Sequence, residues 1–206
     1  GWLAGTRTEV ISDLRELVPR DLPELRDVDA LQEATGVSGE IAVTVAAEDL
    51  TDPDVLEWMR DYRRRVLALG GLEGQFASCL EEETKLCPGI SLPDLFGQGD
   101  SIPSRARIRG LLQLLPAYFA QAVVEVDPET GQIGDTAVLS FGIRVMPFDE
   151  QKELIDGMRA AIEAPEGDEP LPSGTDVQVA GLSVLAADAN AALAGNRYLL
   201  AGAGLL

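Results

Sequence analysis

Two regions of the chain repeat the same order of patterns: a strand, a helix with a start signal, and a second strand. In the first region apolar and small residues alternate over 40–46, as expected for a strand that buries one face. The Asp52–Pro53 pair predicts a helix start, because Asp caps the first turn and proline suits its first position. Gly70 ends this helix, and 72–80 is a weaker strand candidate. These elements form one β-α-β unit.

The second region mirrors the first. Strands are predicted at 122–126 and 136–145 on either side of turn-forming residues at 127–131. A helix follows with Asp149 as its cap, and a strand at 176–180 completes the unit. The longer strand places four apolar side chains on one face: Leu139, Phe141, Ile143 and Val145. Two such units predict an α+β, ferredoxin-like split β-α-β domain, with both main helices on one face of the sheet.

The remaining segments divide the chain further. Residues 1–36 contain two short helical patterns, Glu9–Val18 and a second one from Pro23 to Gly36, and are predicted to form a membrane-proximal stalk. The main α/β domain is placed at 37–183: the first unit at 37–80, an insertion at 81–119 that is irregular to Ser104, and the second half at 120–183. A last helix from about Val184 occupies 184–206.

The insertion contains an apolar helix over 105–115 that is broken by Pro116. An apolar helix with such a break, beside a loop, could line a groove. Leu111, Leu112 and Phe119 are therefore the candidate groove-lining residues. The alternative is that this helix simply packs into the core, with Ile108 among its inward-facing residues.

Composition excludes several classes of function. The chain has no histidine, so Ser-His and Cys-His nucleophile pairs and the commonest zinc sites are absent. Its 16 basic and 35 acidic residues give a formal net charge of -19, which disfavours nucleic acid and anionic lipid as partners and favours solubility. A hydrolase built only from carboxylates would need two acids that converge in one cleft. No spacing in the sequence indicates such a pair, so we expect no catalytic residue.

No cofactor or metal site is expected either. The acidic runs Glu81–Glu83 and Glu166–Glu169 lie in predicted loops and lack the ordered ligand spacing of a calcium site. The one basic run, Arg63–Arg65, falls on the first main helix and is interpreted as a solvated face.

Two cysteines, Cys79 and Cys87, enclose a short polar segment. They are too few for a structural zinc site, and their spacing differs from the C-x-x-C of redox proteins. We predict a disulfide that closes this loop and indicates an oxidising compartment. The alternative is that the two thiols are unrelated.

Both ends of the chain are apolar, although no run of 18 apolar residues exists that could span a membrane. Trp2 and Tyr198 stand where interfacial aromatic residues would stand if membrane helices flanked the domain. Alternatively, both ends pack on the domain.

Several segments resemble the extracytoplasmic loop domains of resistance-nodulation-division transporters, in the hydrophobe/amphiphile efflux and MmpL-like branch. None of these segments is a catalytic signature; the similarity is one of overall pattern. They are 36–45 (GVSGEIAVTV), 49–59 (DLTDPDVLEWM), 86–96 (LCPGISLPDLF), 116–124 (PAYFAQAVV), 140–156 (SFGIRVMPFDEQKELID) and 179–193 (VAGLSVLAADANAAL).

This resemblance implies that the α/β domain at 37–183 is a porter-like domain in a loop of a proton-driven exporter in the cell membrane, the second large loop being favoured. The domain would be extracytoplasmic, and would contribute part of the path for a hydrophobic, amphiphilic or lipid-like substrate. The groove-lining candidates Leu111, Leu112 and Phe119 would then be its substrate-path residues. Its partners would be the flanking transmembrane helices and the other loop, and both chain ends should lie on one side. The proton-relay residues would lie outside this chain. The alternative is a free-standing extracytoplasmic module that binds a ligand or another protein.

Overall fold

The computed structural model of the chain describes residues 37–72, 79, 84–96, 101–163 and 170–203, together with 27, 30 and 33–35. Side chains are described as far as residue 192, with Ala117 excepted. The fold is α+β: a five-stranded antiparallel sheet with helices.

The elements follow one another in a regular order. The strands are β1 (Gly39–Ala47), β2 (Leu86–Ser91), β3 (Val124–Val126), β4 (Ile133–Ile143) and β5 (Thr175–Ala180). The helices are α1 (Pro53–Leu69), α2 (Arg105–Leu114), α3 (Ala117–Ala120), α4 (Phe148–Ala160) and α5 (Leu182–Ala203), and a 3-10 helix spans Leu92–Phe96. No helix in these described ranges is both long enough and apolar enough to cross a bilayer.

The sheet has the strand order β2-β4-β1-β5, and β3 pairs with β4 beside this path. β1 is central and antiparallel to both β4 and β5. Its predicted alternation is confirmed: Ile41, Val43 and Val45 are fully buried and lie opposite Phe141, Leu139 and Ala137 of β4 in that order. Both strands therefore contribute the same face to one hydrophobic core.

Helix α1 begins and ends as the sequence predicts. Asp52 is the N-cap and accepts a hydrogen bond from the backbone N–H of Asp54, while Pro53 is the first helical residue. Gly70 ends the helix, and a Cβ at this position would lie only 2.5 Å from the Cβ of Leu86 in β2. The absence of a side chain at Gly70 therefore lets the end of α1 lie directly against β2, and a larger residue there would clash with Leu86.

The predicted boundaries of the second half needed two corrections. Asp149 is not the cap of α4: Pro147 occupies that position, and Asp149 lies within the first turn, where its charge still suits the helix dipole. Val145 does not share the buried face of β4, because the strand ends at Ile143 and Val145 is exposed. The ladder with β1 ends there, since Ile143 pairs with Gly39.

The second strand of the first unit lies later than predicted. The candidate at 72–80 falls mostly outside the described residues, and β2 occupies part of the segment interpreted as irregular. The strand was not predicted there because Pro88 and Gly89 are both unfavourable in most strands. An edge strand tolerates proline, and β2 is an edge strand whose register with β4 shifts between Pro88 and Ser91.

The other predicted elements are confirmed with small shifts. α2 ends at Leu114, and Pro116 separates it from α3. α5 starts at Leu182, two residues before the predicted Val184. In the amino-terminal segment, residues 27, 30 and 33–35 are helical. The predicted helix Glu9–Val18, both chain termini and the acidic runs Glu81–Glu83 and Glu166–Glu169 lie outside the described residues.

Arg63–Arg65, interpreted from the sequence as a solvated face, is engaged with neighbouring groups. Arg63 forms an ion pair with Asp94 at 2.7 Å and also donates to the Gly89 carbonyl. Arg64 pairs with Asp61 on the same helix, and Arg65 donates to the carbonyl of Ala161. The run therefore ties α1 to the 3-10 helix, to β2 and to the end of α4.

Candidate ligand groove at one end of the sheet

An open groove of about 1000 Å³ lies at the end of the sheet where β1 finishes and β4 begins. Its walls come from the β1–α1 connection, from α2 and α3, and from the β3–β4 hairpin. The groove thus forms where the predicted insertion packs against the end of the second unit. We call this feature the end groove.

The floor of the end groove is apolar. It is formed by buried or half-buried side chains that also belong to the hydrophobic core or pack against it: Leu50, Leu112, Leu115, Ala120, Val126 and Ile133. Leu112 is only 3% exposed, because helical spacing puts it beside Ile108 on the inward face of α2. An apolar floor of this kind can hold a hydrocarbon or aromatic group.

The rim of the end groove is acidic. One arginine, Arg109, lines it together with five carboxylate side chains. These are Glu48, Asp49, Glu125, Asp127 and Asp135. The rim was not predicted from the sequence, since its acids come from three separate segments. The pairing of β3 with β4 brings Glu125, Asp127 and Asp135 together, and the β1–α1 connection supplies the other two acids.

Asp49 is held in place on this rim. Its carboxylate accepts hydrogen bonds from the Thr51 hydroxyl at 2.5 Å and from the Thr51 backbone N–H at 2.9 Å. Arg105 Nε and an Arg109 terminal nitrogen lie 3.5 Å and 3.6 Å from its Oδ2. The Thr51 hydroxyl hydrogen bond, helped by these arginines, lowers the pKa of Asp49. This residue therefore joins α2 to the β1–α1 connection.

Asp127 is held by the hairpin turn. Its Oδ1 accepts from the backbone N–H groups of Glu129 and Thr130, each at 2.8 Å. The backbone N–H of Thr130, followed by that of Glu129, lowers the pKa of this carboxyl group. Gly131 closes the turn with a φ of 69°, a left-handed conformation that favours glycine. The turn predicted over 127–131 is thus confirmed.

The three candidate substrate-path residues occupy different environments. Leu112 lines the end groove, as part of its floor. Leu111 and Phe119 lie on α2 and α3 beside the groove residues, and they are 37% and 47% exposed. Leu112 therefore packs in the core, as the alternative reading required, whereas Leu111 and Phe119 do not. Their role in a substrate path stays a prediction.

Two further exposed apolar residues lie on α2 and α3, and neither was predicted from the sequence. Leu114 and Tyr118 are 80% and 70% exposed, and the Tyr118 ring stacks obliquely on Phe119 with centroids 4.6 Å apart. A sequence signal existed for Leu114 alone, because it falls outside the helical face that Ile108, Leu111, Leu112 and Leu115 form at spacings of three and four. Leu111, Leu114, Tyr118 and Phe119 are called the α2–α3 patch below.

The two cysteines lie beside each other. Both are free thiols; Cys87 is buried on β2, and its Sγ lies 3.9 Å from the carbonyl oxygen of half-buried Cys79. Burial, together with a hydrogen bond to the Cys79 side chain, raises the pKa of Cys87 to about 12, so the thiol stays protonated and unreactive near neutral pH. The predicted disulfide between them remains a prediction.

Among the residues that the structure describes, no three acidic or cysteine side chains are grouped so that they could hold a metal ion. The end groove combines an apolar floor with an acidic border, and such a surface can bind an amphiphilic molecule.

Comparisons with known proteins gave no match. No protein-family model, no curated protein and no solved structure is significantly similar to this chain.

Proposed function

We propose that this chain is an extracytoplasmic loop domain of a proton-driven membrane exporter of the resistance-nodulation-division type, and that it acts by binding and guiding substrate. The observation that carries the proposal is the end groove, which combines an apolar floor with the neighbouring exposed α2–α3 patch. An amphiphilic or lipid-like molecule could place its apolar part on this surface and its polar part at the rim.

We also assign the fold to the ferredoxin-like class as part of this proposal. The order of the four main strands supports it. In the sheet β5 lies next to β1, and β4 lies between β1 and β2. β1 and β2 run in the same direction, because each is antiparallel to β4, and α1 connects them. The short strand β3 is then an addition to β4.

The course of α5 supports a domain that continues towards a membrane. α5 follows β5 after Gly181 alone and stays helical to Ala203. Over these 22 residues it contains two charged side chains, Asp188 and Arg197, in a chain of which a quarter is charged. Such a helix is better suited to an apolar environment than to open solvent.

The first test is to read the parent gene on both sides of this segment. The proposal expects apolar runs of about 20 residues, the length that spans a bilayer, to flank the domain. A signal peptide upstream and a stop codon close downstream would instead support a free-standing binding module, and the exporter proposal would be abandoned.

The second test measures substrate handling. We expect the chain to bind the neutral apolar probe N-phenyl-1-naphthylamine, and the substitutions Leu111→Asp and Phe119→Asp to weaken binding by removing apolar contact. Ile90→Asp is the matched control, because Ile90 is 46% exposed, as Phe119 is at 47%, but lies on β2 away from the end groove. Equal binding by all three variants would remove the α2–α3 patch from the substrate path.

The same variants can then be placed in the whole transporter. If the domain guides substrate, Leu111→Asp and Phe119→Asp should reduce export of apolar amphiphiles while Ile90→Asp leaves it intact. Normal export by both α2–α3 variants, at normal expression, would contradict the proposed role.

A further inference from the structure

A set of ion pairs joins the start of α2 to the β1–α1 connection. Arg105 pairs with Asp52 and, through its Nε, with Asp49 at 3.5 Å. Arg109, one turn further along α2, lies 3.6 Å from the same Asp49 oxygen and donates to the Thr51 hydroxyl at 3.4 Å. We call this set of contacts the α2 bridge. Its members are Asp49, Thr51, Asp52, Arg105 and Arg109.

The α2 bridge lies between two cavities. Asp49 and Arg109 line the end groove. Asp52 and Arg105 line a second cavity of about 440 Å³ beside the start of α1, whose other side is formed by the segment that leads into β5. Glu48 and Asp49 line both cavities. The bridge is therefore part of the partition that separates the end groove from the second cavity.

The start of α2 depends on the bridge. Arg105 is the first residue of this described helix, its first turn contains no acidic residue, and the N-cap Ser104 makes no side-chain capping hydrogen bond. A positive charge at the amino terminus of a helix opposes the helix dipole, and a side-chain cap normally satisfies one of the first N–H groups. Asp49 and Asp52 supply the negative charge that the first turn lacks. The bridge thus stabilises the helix start and also fixes its position.

Two side chains of α2 are buried, Ile108 and Leu112. The residues that flank the helix, Ser104 and Leu115, have extended backbone conformations. Extended residues at the ends of an element can absorb a rotation without loss of helical hydrogen bonds, as hinge residues do. The start of α2 can therefore move while its end, at Leu112, stays on the floor of the end groove.

The bridge is accessible to solvent. The side chains of Arg105 and Arg109 are 50% and 57% exposed, and those of Asp52 and Asp49 are 32% and 36% exposed. Ion pairs between exposed groups are weak, and salt screens them. The bridge can therefore break while the buried contacts of α1 hold the domain together.

We propose that the α2 bridge is a gate of the end groove. When the bridge opens, the start of α2 moves away from the β1–α1 connection, and the end groove and the second cavity join into one path. When it closes, a ligand on the apolar floor is confined to the end groove. This inference rests on the proposed role of the end groove in substrate binding, and it adds how entry to that site is controlled.

The test measures the distance across the end groove by double electron–electron resonance between two nitroxide labels on the full chain. The labels are placed on α2 and on the β3–β4 hairpin by Gln113→Cys and Gln132→Cys, because both residues are exposed and line the groove. The natural cysteines are replaced by Cys79→Ser and Cys87→Ala. A reference pair, Ala68→Cys with Gln132→Cys, joins exposed positions on α1 and the hairpin and leaves α2 out.

Two variants break the bridge from opposite sides. Arg105→Gln with Arg109→Gln removes its cations. Asp49→Asn with Asp52→Asn removes its anions, while an asparagine still caps α1. In each variant, and in the parent protein at about 1 M sodium chloride, the distance across the groove should lengthen by about 5 Å, the rise of one helical turn. The distance of the reference pair should stay the same.

A matched control removes two other arginines. Arg64→Gln with Arg107→Gln causes the same change in net charge as the first bridge variant. Both residues are exposed, and Arg107 lies on α2 itself. The groove distance in this control should equal that of the parent protein. A lengthening as large as that of the bridge variants would show that net charge, rather than the bridge, sets the position of α2, and would contradict the gate.

The release of N-phenyl-1-naphthylamine connects the movement to binding. If the gate controls entry, both bridge variants should release the probe at least about threefold faster than the parent protein and the control, because an open wall no longer confines the ligand. Equal release rates despite a lengthened groove distance would overturn the control of entry.

The same measurements separate the gate from the proposed function. An unchanged groove distance in both bridge variants and at high salt would overturn the gate, even where the probe binds. A lengthened distance without any probe binding would support the movement of α2 and would contradict the proposed binding role instead. A change in the reference pair as well would indicate general loosening of the fold, which would also contradict a local gate.

Discussion

Helix α1 and the α2–α3 region both pack on the same core, but they use their apolar residues differently. α1 buries six large side chains, Val55, Leu56, Trp58, Met59, Tyr62 and Val66. The α2–α3 region has a comparable apolar content, yet the four residues of its patch remain exposed while Ile108, Leu112 and Ala120 are buried. The difference indicates that α1 contributes mainly to stability, whereas α2–α3 leaves apolar surface exposed, which is the surface that the proposed substrate path would use.

The largest expected effect tests this division directly. Trp58→Ala should destabilise the protein by about 3–5 kcal/mol, because it removes a fully buried aromatic side chain and leaves a cavity. Leu114→Ala in the α2–α3 patch should change stability by less than about 0.5 kcal/mol. Urea unfolding of both variants measures the two values. Similar losses would show that the patch is covered and is part of the folded core.

Oxidation of the cysteine pair should stabilise the region that links α1 to β2. A disulfide between Cys79 and Cys87 closes a short loop and is expected to add about 2–3 kcal/mol, less any strain. Thermal unfolding with and without reductant measures the difference, and Cys79→Ser, which cannot form the bond, is the control. Two free thiols in an Ellman titration of oxidised material would contradict the predicted disulfide.

High pH should weaken the contact between α1 and α4. The Tyr62 hydroxyl donates to the Met158 carbonyl at 3.0 Å, and burial raises its pKa well above the ordinary value. Since the raised pKa belongs to the folded state, the stability contributed by the protonated form is complete below about pH 10, the unfolded value, and is lost as the pH rises beyond it.

Tyr62→Phe separates this effect from general alkaline unfolding. The variant should lose about 1 kcal/mol at neutral pH, the value of one hydrogen bond, and should show a flatter decline in stability above pH 10 than the parent protein. Parallel declines in the two proteins would mean that Tyr62 does not control the alkaline response.

The smallest expected effect concerns the rim of the end groove. Its five carboxylates and single arginine predict that a cationic amphiphile, dodecyltrimethylammonium, binds a few-fold more tightly than dodecyl sulfate of equal chain length, and that salt reduces the difference. Glu125→Gln with Asp135→Asn should reduce this preference. Asp176→Asn, an exposed residue outside the groove, is the control.

Preference for the anionic amphiphile, or no effect of the rim substitutions, would show that the rim does not contact the ligand. Binding of both amphiphiles with equal affinity would leave the apolar floor as the only determinant.

Much of the fold could be predicted because its signals are local. Alternation in β1, the Asp52–Pro53 cap of α1 and the turn at Asp127 depend on residues that are close in sequence, and the structure confirms each of them. β2 was placed too early, because its Pro88 is compatible with a strand only at the edge of a sheet or at a bulge, and edge position is not a local property.

The candidate site was much less predictable. Leu111 and Leu112 are adjacent in sequence and equally apolar, but α2 turns one inward and the other outward, and only its contact with the core decides which. The carboxylates of the end groove come together through the pairing of β3 with β4 and the packing of α2 against the end of β1. No spacing along the chain could have indicated that grouping.

The sequence alone determined that this is an α+β domain with an acidic surface, without histidine chemistry, and with its strands and helices in the order observed. These properties follow from composition and short-range periodicity. Only the tertiary structure decided which strand lies at an edge, which apolar residues stay exposed, and where a groove opens. Those features depend on contacts between residues far apart in sequence, which are made only when helices and sheet pack together.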